Sequence, residues 1–129
     1  MNIMIWPGLD QAPQEQFIFR VIHHKDNDYS DTIISEVCRY LNVDTLSMYS
    51  PSRKRELVEA RQIAMYFMLL HTNLPLKAVG AMFGWRDHST VIYARQTVQD
   101  LMDTNKVFKT KVYDIELILL KKYRETTAV

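Results

Sequence analysis

Arg86, Asp87, His88 and Ser89 stand side by side in the stretch FGWRDHSTV, residues 83–91. A hydrolase builds a Ser-His-Asp triad from these residue types, and the triad works only if the base reaches both of its partners. Consecutive residues at a helix start fan outward around the axis and do not converge. The strand-turn-helix elbow that presents a catalytic serine is also absent from this stretch. The same groups suit a long anionic partner. A helix N-terminus projects free N–H groups and partial positive charge, which favours phosphate. If the stretch opens the second helix of a helix-turn-helix, His88 and Ser89 donate to purine N7 or O6. The Thr90 methyl then meets a thymine methyl, and Asp87 accepts from cytosine N4 or orients a neighbour. Recognition is expected here, and catalysis is not.

Other chemistries find little footing. His23 and His24 are adjacent and lie near Asp26 and Asp28. No regular spacing fixes them as ligands, so HHKDNDYSD reads as a polar linker. Cys38 is the single cysteine, which excludes an intramolecular disulfide and a cysteine-rich zinc site. Beside Val37, Tyr40 and Leu41 it reads as a small core residue. Only Gly8, Gly80 and Gly84 are glycines, and no G-x-x-x-x-G-K-[ST] occurs, so no P-loop is present. No metal, nucleotide or other cofactor is expected. The N-terminus lacks a basic segment followed by an apolar run, and no apolar stretch is long enough to span a bilayer. A cytoplasmic protein without a membrane partner is expected.

The net charge of +1 says little, but its distribution says more. Residues 1–50 hold three basic and seven acidic side chains, whereas residues 51–95 hold seven basic and three acidic. The positive excess thus surrounds RDHST, which suggests a negatively charged partner.

The elements that must position these residues are helical. Few glycines and a 3.6-residue apolar spacing from Asp31 onward predict an all-α fold. Ile33, Val37 and Leu41 make the stripe of a first helix, capped by Ser30 or Asp31. A long helix over about 56–71 buries Leu57, Ala60, Ala64 and Phe67 and leaves Arg61 and Gln62 off that face. TNLP ends it. LKAVGAMF forms a short helix, GWRD a tight turn, and HSTVIYARQTVQDLM a further helix with Asp87 as N-cap. Val91, Ala94, Val98 and Leu101 face the core behind it. A last helix starts near Asn105 and carries Phe108, Val112, Ile115 and Leu119. Short helix, glycine turn and second helix outline a helix-turn-helix. Residues 1–30 are taken as an acidic extension of unassigned role, and residues 31–129 as the helical domain.

ARQIAMYFMLL at 60–70, followed by AVGAMFGWRDHSTVIYA at 78–94, resembles the C-terminal DNA-binding domain of the bacterial replication initiator DnaA. ISEVCRYLNVDTLSMYSPSRKRELVEARQ resembles that domain's first helix and basic loop, and the similarity covers about residues 31–122. The resemblance implies a Trp-repressor-like all-helical domain that binds an AT-containing nonamer, the DnaA box, in double-stranded DNA. Asp87, His88, Ser89 and Thr90 match the major-groove readers. Arg53 matches the basic-loop arginine that enters the minor groove, where narrow AT-rich DNA attracts a guanidinium. Arg61 and Gln62 match phosphate contacts, and Leu76 and Lys77 match a backbone contact. Arg55 in the basic loop and Arg86 beside the readers complete the expected DNA-contacting set, with Arg95.

The chain departs from the family pattern in three ways. Trp85 stands where the family usually has Gly, Asn or Lys; it is either a core plug or a surface ring packed beside the sugar-phosphate chain, and a partly buried ring is expected. Gln96 and Thr97 replace a pair that is often basic, with Arg95 compensating from another angle. The family's ATPase module does not fit in 129 residues. The leading reading is sequence-specific binding of double-stranded DNA in replication initiation or its regulation. The rival is a helical protein-interaction module that keeps the fold without DNA affinity. The residues do not fix the oligomeric state.

Overall fold

The computed structural model describes residues 26–127. Among them are five α-helices and one 3-10 turn, and no strand: α1 Asp26–Leu41, the 3-10 turn Leu46–Tyr49, α2 Arg55–His71, α3 Leu76–Ala81, α4 His88–Thr104 and α5 Lys106–Thr127. The expected all-α class holds, and the boundaries from Arg55 onward fall within a residue or two of those expected. His23, His24 and most of the acidic extension lie outside the described residues.

The first helix corrects the sequence reading. Residues 26–30 already belong to α1 and are not linker. Tyr29 and Ser30 are buried at 4 % and 0 % exposure, continuing the stripe of Ile33 and Val37 backward by one turn. The Tyr29 ring meets Tyr123 of α5 edge-on at 6.1 Å, and its hydroxyl donates to the Leu119 carbonyl at 3.5 Å. Burial, with Tyr123 and Glu116 nearby, pushes the phenol well above its ordinary range.

The central element is α2. Ala60, Ile63, Ala64, Phe67 and Met68 are fully buried, and Met65 and Tyr66 nearly so. A helix that is apolar on nearly every side is one surrounded by others. Here α1 and α4 pack against α2, and α5 closes over α1 and α4. Cys38 is buried as expected. Thr72 ends α2 by donating its hydroxyl to the Met68 carbonyl at 2.6 Å.

α3 and α4 form the helix-turn-helix. Their joint needs two glycines. A Cβ on Gly80 would run into the Arg86 carbonyl, and Gly84 has φ +83° with the Tyr49 carbonyl 2.8 Å from where its Cβ would be. The Arg86 N–H donates back to the Gly80 carbonyl at 2.9 Å, closing the turn. Val79 and Phe83 seal its inner side, and Val91, Ala94 and Val98 face the core behind α4.

The segment between α1 and α2 has little regular structure of its own and is tied down by Arg61. The sequence left Arg61 off the buried face, but it is only 4 % exposed. Its Nε donates to the Met48 carbonyl at 2.9 Å and its Nη1 to Ser52 O at 2.7 Å. Nη2 donates to Ser47 O at 3.1 Å and Ser50 O at 2.8 Å. A buried guanidinium is tolerable when its donors are met, and here four carbonyls in one short segment meet them. Burial, with Arg86 close by, lowers its pKa from the ordinary arginine value.

Two stability predictions follow from these contacts. A chain starting at Asp31 lacks Tyr29 and Ser30 and will melt below one starting at Asp26 by thermal circular dichroism; equal melting temperatures would place Tyr29 outside the cooperative core. Arg61→Ala strands several buried acceptors at once and is expected to cost about 3 kcal/mol in urea unfolding. Arg61→Lys should recover little of that loss, because an ammonium cannot reproduce the fork.

Candidate nucleic-acid interface

The segment held by Arg61 and the start of α4 form the walls of one groove of about 580 Å³. Tyr49, Ser52 and Arg53 line it from the loop, Gln62 and Met65 from α2, Gly84 and Arg86 from the turn, and Thr90 and Tyr93 from α4. Arg53, Gln62, Arg86 and Thr90, far apart in sequence, thus share one concave surface. Asp87, His88 and Ser89 are exposed at the N-terminus of α4, directly before Thr90. Arg53, Lys54 and Arg55 are exposed together where the loop enters α2. Arg55 also lines a neighbouring groove with Arg53 and Lys111.

Asp87 occupies the N-cap position with extended backbone, φ −67° and ψ 153°. Its Oδ2 accepts from the Ser89 hydroxyl, and its Oδ1 lies 3.3 Å from His88 Nδ1. The Ser89 hydrogen bond, with a smaller contribution from His88, holds the carboxyl below its ordinary value. This order also answers the catalytic question. In a triad the imidazole stands between hydroxyl and carboxylate. Here the carboxylate stands between the other two, so the imidazole is not the group that accepts from the Ser89 hydroxyl and the triad order is absent. The Asp87 and His88 side chains are 67 % and 62 % exposed. What the cluster offers is a set of open donors and acceptors at a helix N-terminus.

Other expected contacts fall in different places. Arg61 lines the groove but is buried, and its guanidinium is turned mainly to the carbonyls of residues 47–52, so it is not the open side chain the sequence suggested. Arg86 is half-buried. Its Nη1 donates to the Phe83 carbonyl and its Nη2 to Ser50 O at 3.0 Å. It therefore stitches the turn to the loop while adding charge to the groove wall. Leu76 is partly buried against the core, whereas Lys77 beside it is exposed. Arg95 is half-buried on α4 and is not among the groove's lining residues. Gln96 donates to Asp100 at 3.0 Å along the outer side of α4.

Two aromatic side chains need comment. Trp85, expected to be partly buried, is 84 % exposed and has φ +62°. The Gly84 and Trp85 backbone swings the side chain out of the core. Tyr93, 66 % exposed, lines the groove and was missed in the sequence. It lies three residues beyond Thr90, and that helical spacing is the signal that pointed to it. Among the described residues, no helix is long and apolar enough to cross a membrane.

Comparison with known sequences agrees with this geometry. Residues 30–98 match the family model described as the bacterial dnaA protein helix-turn-helix. The chain is 34 % identical over 115 residues to a chromosomal replication initiator protein DnaA of Bacteroides thetaiotaomicron, covering 88 % of this chain and 24 % of the relative. It is 39 % identical over 101 residues to the DnaA protein of Flavobacterium psychrophilum, covering 78 % of this chain and 20 % of the relative. The DnaA protein of Bacteroides fragilis is 37 % identical over 92 residues, 71 % of this chain and 19 % of the relative. The chain thus spans about a quarter or less of the length of these relatives. The matched residues take in most of α1, the Arg61-bound loop, α2, α3 and the first part of α4 with its RDHST start, and the chain belongs to the bacterial DnaA helix-turn-helix family.

Proposed function

We propose that this chain binds double-stranded DNA sequence-specifically at a DnaA-box-like site, in replication initiation or its regulation. The observation that carries the reading is the single groove with Arg53 on one wall and Thr90 on the other. In B-DNA a major and a minor groove are separated by one sugar-phosphate strand. A helix start in the major groove and a guanidinium in the adjacent minor groove therefore need a concave surface between them for that strand. The groove supplies it.

The roles follow from chemistry and placement. His88, Ser89 and Thr90 meet base edges from the first turn of α4, with Asp87 orienting Ser89 and accepting where cytosine is presented. Arg53 enters the minor groove, favoured by narrow AT-rich sequence. Gln62, Ser52 and the Tyr93 hydroxyl line the path of the strand between, where contacts position without reading. Lys77 and Arg55 extend the phosphate contacts at the two ends. Arg61 holds the loop from beneath and contributes charge to the groove floor.

The test uses the 129-residue chain, a DnaA-box duplex and a scrambled duplex at several salt concentrations, with circular dichroism on each variant. His88→Ala should cost about 1–3 kcal/mol on the box and much less on the scrambled duplex. Equal loss on both would make RDHST a phosphate clamp only. Lys77→Ala should weaken both duplexes alike and flatten the salt dependence by roughly one counterion. Arg53→Ala should do both in part, losing general affinity and also the preference for AT. A wild-type chain that binds neither duplex would favour the protein-interaction module.

A further inference from the structure

We infer that Trp85 is a DNA-contacting residue, packing its indole against the sugar-phosphate backbone beside the reading helix; this rests on the DNA-binding reading above. Three observations carry it. First, Trp85 holds φ +62°, directly after Gly84 at +83°. A bulky residue in the left-handed region is uncommon and strained, and Gly or Asn would adopt that backbone more easily. Such strain persists where the surrounding structure enforces it, and it clusters at functional positions. Second, the strain is not repaid inside the protein. The ring is 84 % exposed, the most exposed of the large apolar side chains among the described residues.

Third, the position is continuous with the interface. Gly84 and Arg86, on either side of Trp85, line the groove. The N-cap Asp87 follows two residues later, and His88 opens α4. Arg86 fixes the turn to the loop through Ser50, so the ring is mounted on a braced support and not on a free loop. An indole offers a broad apolar body and a single N–H donor. That combination suits deoxyribose with a neighbouring phosphate oxygen, and it carries no charge. The contact is thus sequence-independent and releases no counterion, unlike one from Lys or Arg.

The experiment measures Trp85→Gly and Trp85→Asn in the full chain on box and scrambled duplexes across a salt series, with thermal unfolding alongside. Both variants are expected to bind both duplexes roughly fivefold more weakly, as the loss of a modest area of apolar burial by the indole would give. Their salt slope should stay unchanged and their melting temperature should stay equal or rise. Wild-type affinity in both variants at every salt concentration would overturn the inference and leave the DNA reading standing; the ring would then belong to a protein partner. A lowered melting temperature would overturn it by making the ring part of the fold. If the wild-type chain binds neither duplex, the DNA reading fails and this inference fails with it.

Discussion

The interface depends on one buried guanidinium. Residues 47–54 have no strand partner and only one turn of 3-10 helix, so their carbonyls need donors from elsewhere. Arg61 supplies them, reaching Ser47, Met48, Ser50 and Ser52 from the second turn of α2. Arg86 reaches the same Ser50 carbonyl from the turn of the helix-turn-helix. Two cations converging on one stretch of backbone would repel one another in a dry interior. They are tolerated because carbonyl dipoles surround both, and because the Arg86 side is open to the groove. The loop that presents Arg53 and the helix that presents His88 are therefore positioned by one hydrogen-bonded unit.

That unit explains why the sequence is legible for the helix-turn-helix and misleading for Arg61. The helix-turn-helix could be read because its signals are local: TNLP stops α2, the glycines mark the joint, and Asp87 marks the next start. The apolar stripes of α2, α4 and α5 repeat at helical spacing, so Phe67, Val91 and Phe108 could be placed in the core without coordinates. Arg61 could not, because its partners are backbone carbonyls, and backbone carbonyls leave no trace in residue identity. An arginine on a helix in a basic region looks the same whether it faces phosphate or its own chain.

The beginning of α1 was lost for a related reason. Asp26, Asn27 and Asp28 are polar and turn-like, and their composition outweighed one aromatic that continues the stripe. Tyr29 is four residues before Ile33 and faces Tyr123, ninety-four residues away in sequence. Long-range packing of Tyr29, which residue composition does not reveal, holds this turn of α1 against the core. Trp85 was misjudged in the opposite sense. A tryptophan is normally worth burying, so partial burial was the expectation; the pair of left-handed residues at the turn overrides that preference by fixing the direction of the Cα–Cβ bond.

The charge pattern takes on a more specific meaning once these positions are known. Seven basic residues fall in 51–95, but they are not equivalent. Arg61 is buried and Arg86 is committed in large part to carbonyls, so the two act mainly as structure. Arg53, Lys54, Arg55 and Lys77 remain exposed. A surface that held the strand only by charge would grip every sequence alike. Here the exposed cations lie where the loop enters α2 and on α3, whereas the α4 start carries an imidazole, two hydroxyls and one carboxylate. Asp87 among them repels phosphate, so that turn is poorly suited to a backbone clamp. On the proposed reading, this division leaves charge to hold the duplex and hydrogen-bond geometry at the start of α4 to discriminate within it.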